Sequence, residues 1–352
     1  MNYKRILLTA GILFAGLIIG SRLLGTPEEP IPVNISDFGV CYQTAPYNNE
    51  ILLLGGDGIR AVSTSGNTSW TISERSNNPY MHIAGSYILL ADLNGKTLSV
   101  YRGSAHLYTI KTGNTIKTAK VSSDGSSAVL TEEIGFKGLV TVYGSNGGEI
   151  YKWYSGEGYI LDIALSAKVL AVSQMLSNND AASSSIFIID IESGHTPASL
   201  TRDDEIISAL KFSNGGRLIA VSTKEMLGIE KDGTVKFTIS FGGRSLSTFN
   251  IDNDNNMVVA LTGAQNNIRL EMYNRDGRKR GECQINNDVR NISVSGDYIL
   301  VNELRDVLKI SPSGRRTEIH TANHDIKSLT LWKNHNYVWI MGSSQANIIK
   351  LK

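Results

Sequence analysis

The sequence predicts an all-β protein: a β-propeller, most consistent with eight four-stranded blades, preceded by one N-terminal transmembrane helix. A strand-and-turn pattern recurs about every forty residues along the chain, and units of roughly 40 to 45 residues with four short strands are typical of propeller blades. Helical solenoids of similar period need amphipathic helical runs, and none follows residue 25. Seven blades are the alternative, if the first or the last unit is incomplete.

The first element is an apolar segment, residues 6–20, which carries no charged side chain. Extended by the next five residues it reaches about 20 residues, or roughly 30 Å as a helix, which is enough to cross the hydrocarbon of a bilayer. Lys4 and Arg5 outnumber Arg22, and this bias favours a cytoplasmic N-terminus. We therefore expect residues 1–25 to be an uncleaved, single-pass anchor in the cell membrane, with the propeller outside the cytoplasm.

Two other interpretations of this segment remain open. A cleaved signal peptide would also begin with basic residues, although SRLLGTPEEP after the apolar run lacks an A-x-A-like cleavage site. A buried core helix is the third, although the run is apolar all round and lies at the N-terminus.

Residues 26–36 are predicted to be a linker that also contains a possible closing strand, and residues 37–352 the propeller domain. The linker begins with TPEEPIP, a short polar segment stiffened by proline. The last repeat shows only about three strands before the chain ends. Val33–Ile35 could supply its missing outer strand and so close the ring.

Each repeat begins with a hairpin whose turn is followed by a compact apolar strand, as in Ile51–Leu54. Uninterrupted apolar runs of this length are typical of strands that are covered on both faces. The predicted turns lie near Asn48, Gly85, Asp124, Ala167, Asn214, Asp254, Gly296 and Asn334.

A second hairpin follows in most repeats, with glycine directly after an aliphatic strand. Gly66 is followed by Trp70, and Gly147 by Trp153, so each tryptophan lies on a predicted outer strand. This aliphatic–x–x–x–Gly–x–x–x–Trp hairpin resembles the PQQ-like and YVTN-like propeller repeats, which are WD-repeat-like, although the Gly-His and Trp-Asp dipeptides are absent as a set. With its anchor, the chain resembles uncharacterised membrane-anchored propeller proteins of Gram-positive bacteria over about residues 33–352.

The resemblance implies architecture and carries no functional residues across. Quinone-dependent dehydrogenases of this fold use a vicinal disulfide and a calcium site, whereas Cys41 and Cys283 lie far apart here. We therefore expect no cofactor. A structural bridge between the two cysteines is the alternative to two packed thiols.

The global charge does not favour nucleic acid or an acidic substrate, since 34 basic residues balance 33 acidic ones, and we expect no nucleic-acid partner. The basic clusters around Asp276 and at Arg315 are predicted to be solvated turns, with anionic headgroups or wall polymers as the alternative.

Three local motifs have the form of a chemical site. The first pairs His320 with His324 in a predicted loop, where their spacing does not direct them toward one metal ion. The segment Asp252–Asn256 lacks the glycine and glutamate that a calcium loop requires. The last, Ser208–Lys211, matches S-x-x-K but lies on a strand without its partner motifs. We predict no catalytic residue and no metal site.

The predicted binding surface is the face on which the blade-to-blade connections and the turns between second and third strands gather. That face also receives Ile134 and a predicted long insert, residues 174–184. Arginine, aromatic and methionine side chains are enriched at protein interfaces. The candidate binding residues are Arg75, Tyr80, Phe136, Lys137, Tyr159, Met175, Arg202, Arg244, Arg305, His320 and His324.

These observations favour a membrane-tethered propeller that acts as a protein-interaction scaffold in a cell-envelope assembly, without catalysis. The second interpretation is an extracellular module that binds or senses a glycan or a small ligand. The third, a lyase or hydrolase, needs clustered His, Asp or Glu at the ring centre.

Overall fold

The computed structural model describes residues 30–35, 38–178, 181–264, 267–286, 288–332 and 336–351. These residues form 32 strands arranged as eight four-stranded antiparallel sheets, which confirms the eight-bladed propeller. The predicted anchor lies outside the described residues. Within them, no helix has both the length and the apolar character needed to span a bilayer.

The blades follow one another in chain order, each running from the centre of the ring to its rim. Blade 1 contains β2 (Cys41–Tyr47), β3 (Glu50–Gly55), β4 (Gly58–Val62) and β5 (Thr68–Ser73); blade 2 contains β6 (Pro79–Ala84), β7 (Tyr87–Asp92), β8 (Thr97–Arg102) and β9 (Ala105–Lys111). Blade 3 contains β10 (Ile116–Val121), β11 (Ser127–Thr131), β12 (Gly138–Tyr143) and β13 (Glu149–Ser155); blade 4 contains β14 (Tyr159–Leu165), β15 (Val169–Asn178), β16 (Ala181–Asp190) and β17 (Ala198–Asp203).

The second half of the ring repeats this plan. Blade 5 contains β18 (Ile207–Phe212), β19 (Leu218–Ser222), β20 (Glu225–Ile229) and β21 (Val235–Ser240); blade 6 contains β22 (Ser245–Ile251), β23 (Met257–Thr262), β24 (Ile268–Tyr273) and β25 (Lys279–Ile285). Blade 7 contains β26 (Val289–Ser295), β27 (Tyr298–Glu303), β28 (Asp306–Ile310) and β29 (Arg316–Thr321); blade 8 contains β30 (Ser328–Trp332), β31 (Tyr337–Met341), β32 (Gln345–Lys350) and β1 (Ile31–Asn34).

Blade 8 takes its outer strand from the start of the described chain. β1 pairs antiparallel with β32, with Val33 opposite Ala346 and Pro32 opposite Asn347. Proline is tolerated here because an outermost strand has one edge without a ladder partner. The ring is thus closed by pairing between the first and the last described strands. The closing strand β1 begins at Ile31, two residues before the predicted closing segment, Val33–Ile35.

The hydrophobic core is divided into eight clusters, and each lies between two neighbouring blades. The second strands are almost fully buried, as in β3, where Ile51 to Leu54 are at most 1% exposed. A sheet buried on both faces reads as a continuous apolar run, which is the pattern seen in the sequence. Each blade therefore depends on both neighbours for its burial.

Blades 6 and 7 approach so closely that one contact requires glycine. Gly314 has φ +94°, and a Cβ there would lie 1.9 Å from the carbonyl oxygen of Glu282. Only glycine combines a positive φ with so close an approach to a neighbouring backbone.

Candidate functional site

The inner strands are linked around the centre of the ring by polar side chains. In six of the eight joints between neighbouring blades, a side chain of one inner strand bonds to the backbone of the next. The six side chains are Gln43, His82, Asp162, Lys211, Asn250 and Ser293. The two other joints are side-chain pairs: Lys120 Nζ lies 3.6 Å from Asp162 Oδ1, and Ser328 contacts Thr44. We call this set the inner ring.

The inner ring holds charges that are mostly buried. The side chains of Lys120 and Asp162 are 19% and 15% exposed. Burial raises the pKa of Asp162, and the Lys120 ammonium opposes that rise. Burial also works against the charged form of Lys120, but Tyr80 and Asp162 outweigh it and raise the pKa of Lys120. The pair is thus kept ionised by its mutual attraction.

His82 and Lys211 belong to the same electrostatic environment. Burial, together with the positive charges of Lys120 and Lys211, lowers the pKa of His82 to about 3. Its Nδ1 accepts a hydrogen bond from the Val121 N–H at 3.2 Å, so the neutral ring carries its proton on Nε2. Burial lowers the pKa of Lys211, whose Nζ donates to the Ile251 carbonyl at 2.5 Å. These contacts hold blades together, and a histidine kept neutral in this way is not poised for acid–base chemistry.

Sequence reasoning missed the inner ring, although the sequence contains a signal for it. Every first strand carries at least one polar side chain among its apolar residues, and the side chains of the inner ring recur about once per repeat. A polar residue that recurs at the blade period marks a joint between blades.

We define the loop face as the turns between second and third strands together with the blade-to-blade connections. Six of the predicted binding residues lie in these segments: Arg75, Phe136, Lys137, Arg244, Arg305 and His324. The other five lie in strands, close to the strand ends that meet this face: Tyr80, Tyr159, Met175, Arg202 and His320. Together they are spread around this face rather than gathered at one place. Three arginines are occupied by carboxylates of this chain: Arg75 Nε lies 3.2 Å from Asp57, Arg202 Nε 3.0 Å from Glu225, and Arg305 Nε 2.9 Å from Asp325. Arg244 donates to the Asn267 side chain at 3.3 Å. Tyr80, half-buried, lies under Lys120 of the inner ring.

The two histidines do not form a pair. His320 lies in β29 opposite Val307, so its expected loop position is wrong. His324 follows in the connection to blade 8, where its Nδ1 lies 2.9 Å from Gln345 Nε2. Burial lowers the pKa of His320, and His324 adds to the effect. Among the described residues, no three His, Cys, Asp or Glu side chains are grouped to hold a metal ion. Cys41 and Cys283 are free thiols.

Phe136, Lys137, Tyr159 and Met175 are brought together where blades 3 and 4 meet. Lys137 Nζ lies 4.8 Å from the centre of the Tyr159 ring, and Tyr159 pairs with Met175 across β14 and β15. Phe136 packs on Tyr154, with ring centroids 4.8 Å apart.

This site is exposed and apolar. Ile134 is 92% exposed, Tyr159 54%, Phe136 45% and Tyr154 44%. Scattered exposed apolar residues are normal, but here Phe136 contacts Tyr154, the adjacent Lys137 contacts Tyr159, and Ile134 lies in the same turn as Phe136. Such a grouping is characteristic of an interaction surface. We call Ile134, Phe136, Lys137, Tyr154 and Tyr159 the loop-face patch. Tyr154 and the ring contact with Phe136 were not predicted, because an outer strand contributes Tyr154.

The segment 174–184, which the sequence predicted to be a long insert on the loop face, lies mostly in two paired strands. β15 and β16 continue as a hairpin through Gln174, paired with Ser185, and out to Asn178, paired with Ala181. β14 pairs with β15 only as far as Met175, and β17 pairs with β16 only from Ser183. The tip of the hairpin therefore extends beyond the first and fourth strands of its own blade.

Comparison with known proteins supports the fold and adds a family. The model of a family of unknown function, DUF5711, matches residues 34–351. No curated protein matches the chain. Among solved structures, BamB from Moraxella catarrhalis is 16% identical, with a TM-score of 0.56, and the match covers 93% of this chain and 99% of BamB.

Two further structures have similar scores. One is Sqt1 from Chaetomium thermophilum, which was solved bound to the N-terminus of ribosomal protein L10. It is 11% identical to this chain, with a TM-score of 0.59, and the match covers 92% of this chain and 100% of the Sqt1 chain. The dihydro-heme d1 dehydrogenase NirN, in complex with DHE, is 11% identical with a TM-score of 0.59 and covers 89% of this chain and 74% of its own. At such identities the likeness shows the propeller fold alone.

Proposed function

Because the chain belongs to a family of unknown function, DUF5711, its role has to be inferred from its surfaces, and we propose that it is a protein-interaction scaffold held at the cell membrane. The loop-face patch is the observation that carries this proposal. Its aromatic side chains are large and rigid, so they lose little conformational entropy on binding, and such residues dominate interface energetics.

The setting of the patch also favours a protein partner. The extended β15–β16 hairpin stands beside Tyr159 and provides a raised edge to one side of the patch. Three of the four arginines predicted for the binding surface are engaged with carboxylates of this chain, so they are less available to a ligand. Sqt1, which has the same fold, was solved bound to a segment of another protein. NirN is a dehydrogenase with the same fold, so the fold by itself does not decide between binding and catalysis.

We further propose that the propeller faces the outside of the cell as part of an envelope assembly. This rests on the apolar, uncharged residues 6–20 and on the basic residues before them. Alkaline phosphatase fused after Lys352 should be active in cells, because that enzyme needs an oxidising compartment. An inactive but well-expressed fusion would place the propeller in the cytoplasm.

Crosslinking followed by affinity capture of the full chain tests the scaffold. The wild-type chain should capture a discrete partner, and Phe136→Ser with Tyr159→Ser should lose it. Tyr298→Ser is a matched control, because Tyr298 is 37% exposed and Lys309 Nζ lies 4.8 Å from its ring centre, but on the opposite face. If the control and the patch variant lose the partner equally, or neither loses it, the loop-face patch is not the docking site.

A further inference from the structure

The strand that closes the ring begins on the face opposite the loop face. In blades 1 to 7 the fourth strand starts at the turn that links it to the third strand, and β1 is the fourth strand of blade 8. Gly66 lies in that turn of blade 1, and a Cβ there would lie 3.6 Å from Ile31 Cγ2. β1 therefore begins beside these turns. We call this side of the ring the entry face, and the turns between third and fourth strands the rim turns.

A short linker keeps the entry face near the predicted anchor. The anchor is expected to end at residue 25, so only residues 26–31 lead from it into β1. A chain held at the membrane by residues 1–25, as proposed above, therefore keeps the entry face at blade 8 within about 20 Å of the bilayer, because a segment of that length spans no more even when fully extended.

Positive charge is concentrated in the rim turns of blades 6 and 7, which precede blade 8 in the ring. The rim turn of blade 6 leads into β25 as NRDGRKR, residues 274–280, and that of blade 7 leads into β29 as SPSGRR, residues 311–316. In blades 1 to 5 the rim turns contain one basic residue, Lys231, which lies between Glu230 and Asp232. An anionic surface therefore attracts the side of the ring at which β1 begins.

Three arginines of these turns have no counterion within the part of the chain that the structure describes. Two acids of the same face are already engaged, since Asp276 lies 3.7 Å from Arg217 and Asp297 lies 2.7 Å from Arg280. A guanidinium without an internal partner keeps its full charge for an external anionic group. The three exposed arginines, which we call the basic rim, are Arg275, Arg278 and Arg315.

The backbone that carries the basic rim is fixed by hydrogen bonds. Asn274 Oδ1 accepts a hydrogen bond from the Arg278 N–H at 2.9 Å, and Ser311 Oγ accepts one from the Arg315 N–H at 2.9 Å. Blades 6 and 7 are also in backbone contact at this level, through the close glycine approach described above. Binding to a surface therefore orders only the arginine side chains, which limits its entropic cost.

We propose that the entry face lies against the bilayer, with the basic rim in contact with anionic lipid headgroups, and that the loop face points away from the membrane. Guanidinium groups bind phosphate oxygens through paired N–H donors, and an anionic membrane presents these oxygens at its surface. The inference rests on the membrane tether of the proposed function. In this orientation the loop-face patch stays open to a protein partner.

The test is photocrosslinking of the full chain in lipid nanodiscs, made either from an equimolar mixture of phosphatidylglycerol and phosphatidylcholine or from phosphatidylcholine alone. The photoreactive amino acid p-benzoylphenylalanine replaces Ser313, which is exposed in the rim turn of blade 7. Two exposed control positions are Thr196, in the rim turn of blade 4, and Ser343, on the loop face of blade 8. Mass spectrometry should find phosphatidylglycerol attached severalfold more often at Ser313 than at Thr196, and no lipid attached at Ser343.

Neutralising the basic rim should remove this contact. Each basic side chain at an anionic surface is worth about fivefold in affinity, so loss of all three should lower the yield at Ser313 to that found in phosphatidylcholine alone. The basic-rim variant combines Arg275→Gln, Arg278→Gln and Arg315→Gln. The matched control, which loses the same charge from exposed positions near the loop face and should keep the wild-type yield, combines Lys111→Gln, Arg290→Gln and Lys327→Gln.

Equal yields at Ser313 in the two kinds of nanodisc, or in wild type and the basic-rim variant, would overturn the proposal, as would attachment at Ser343 equal to that at Ser313. Suppression by inorganic phosphate or by soluble poly(glycerol phosphate), at an ionic strength where sodium chloride has no effect, would show a preference for free or polymeric phosphate and would also overturn it. A chain that does not co-elute with either nanodisc refutes the tether and this inference together. A chain that inserts without lipid attachment at Ser313 refutes only the inference drawn here.

Discussion

Val33 gives the most direct test of how the ring closes. It is 5% exposed and packs in the cluster that joins blade 8 to blade 1, with Ile51 and Trp339. Val33→Ala removes two methyl groups, which is worth about 1.6 kcal/mol of transfer free energy at ~0.8 kcal/mol per group. Incomplete collapse of the resulting cavity adds to this, so we expect a loss of about 2 kcal/mol in the free energy of unfolding.

For a domain of this size that loss corresponds to a fall in Tm of about 4 °C, which scanning calorimetry resolves. The control is Pro32→Ala on the same strand, where the side chain is exposed and the expected fall is about 1 °C or less. Deleting residues 31–34 removes the whole strand and should cost more than Val33→Ala. If Val33→Ala melts with the control, or the deletion leaves Tm unchanged, β1 does not hold the ring closed.

Three further predictions concern the inner ring and the joint between blades 6 and 7. Lys120→Met leaves the Asp162 carboxylate buried without its cation, and it should lower the free energy of unfolding in urea by about 3 kcal/mol. Adding Asp162→Asn to this variant should recover most of the lost stability. If the double variant recovers nothing, Lys120 and Asp162 do not act as a pair. Gly314→Ala should lower the free energy of unfolding by at least about 2 kcal/mol in the same assay, because its Cβ would meet a backbone oxygen of the neighbouring blade. The control is Gly103→Ala, at φ +58° with open space around it, which should lower the free energy of unfolding by about 1 kcal/mol. Equal costs would contradict the close approach. The pKa of His82 is about 3 in the folded protein, whereas its ordinary value is 6.5, so the unfolded chain takes up a proton at a higher pH than the folded chain does. The free energy of unfolding should therefore decrease as the pH is lowered from about 6.5 to about 3. The ring signals of His82 in NMR should not titrate between neutral pH and about pH 4. Titration near 6.5 would refute its burial.

The architecture was largely predictable because it depends on local pattern. Strands covered on both faces produce uninterrupted apolar runs, and hairpins require turn residues at fixed places, so the eight units appear in the sequence with their turns. The long β15–β16 hairpin was predicted only as an insert, residues 174–184. Its extra strand pairing, from Gln174 with Ser185 out to Asn178 with Ala181, was not predicted because its polar composition resembles that of a connection.

The candidate site was only partly predictable. The sequence placed Phe136, Lys137, Tyr159 and Met175 on the loop face, but only strand register determines that Tyr159 lies opposite Met175. The contribution of Tyr154 depends on which face of an outer strand is left uncovered.

The inner ring makes the eight blades chemically distinct from one another. Blades 3 and 4 are joined by an ion pair between the Lys120 ammonium and the Asp162 carboxylate. Blades 7 and 8 are joined instead by a hydrogen bond from the Leu331 N–H to the Ser293 hydroxyl. A copy of blade 3 inserted elsewhere would place Lys120 beside a neighbour without an acid. Duplication of one blade would therefore not by itself extend the ring with its joints intact, because the added blade would need matching inner-strand side chains in both neighbouring blades.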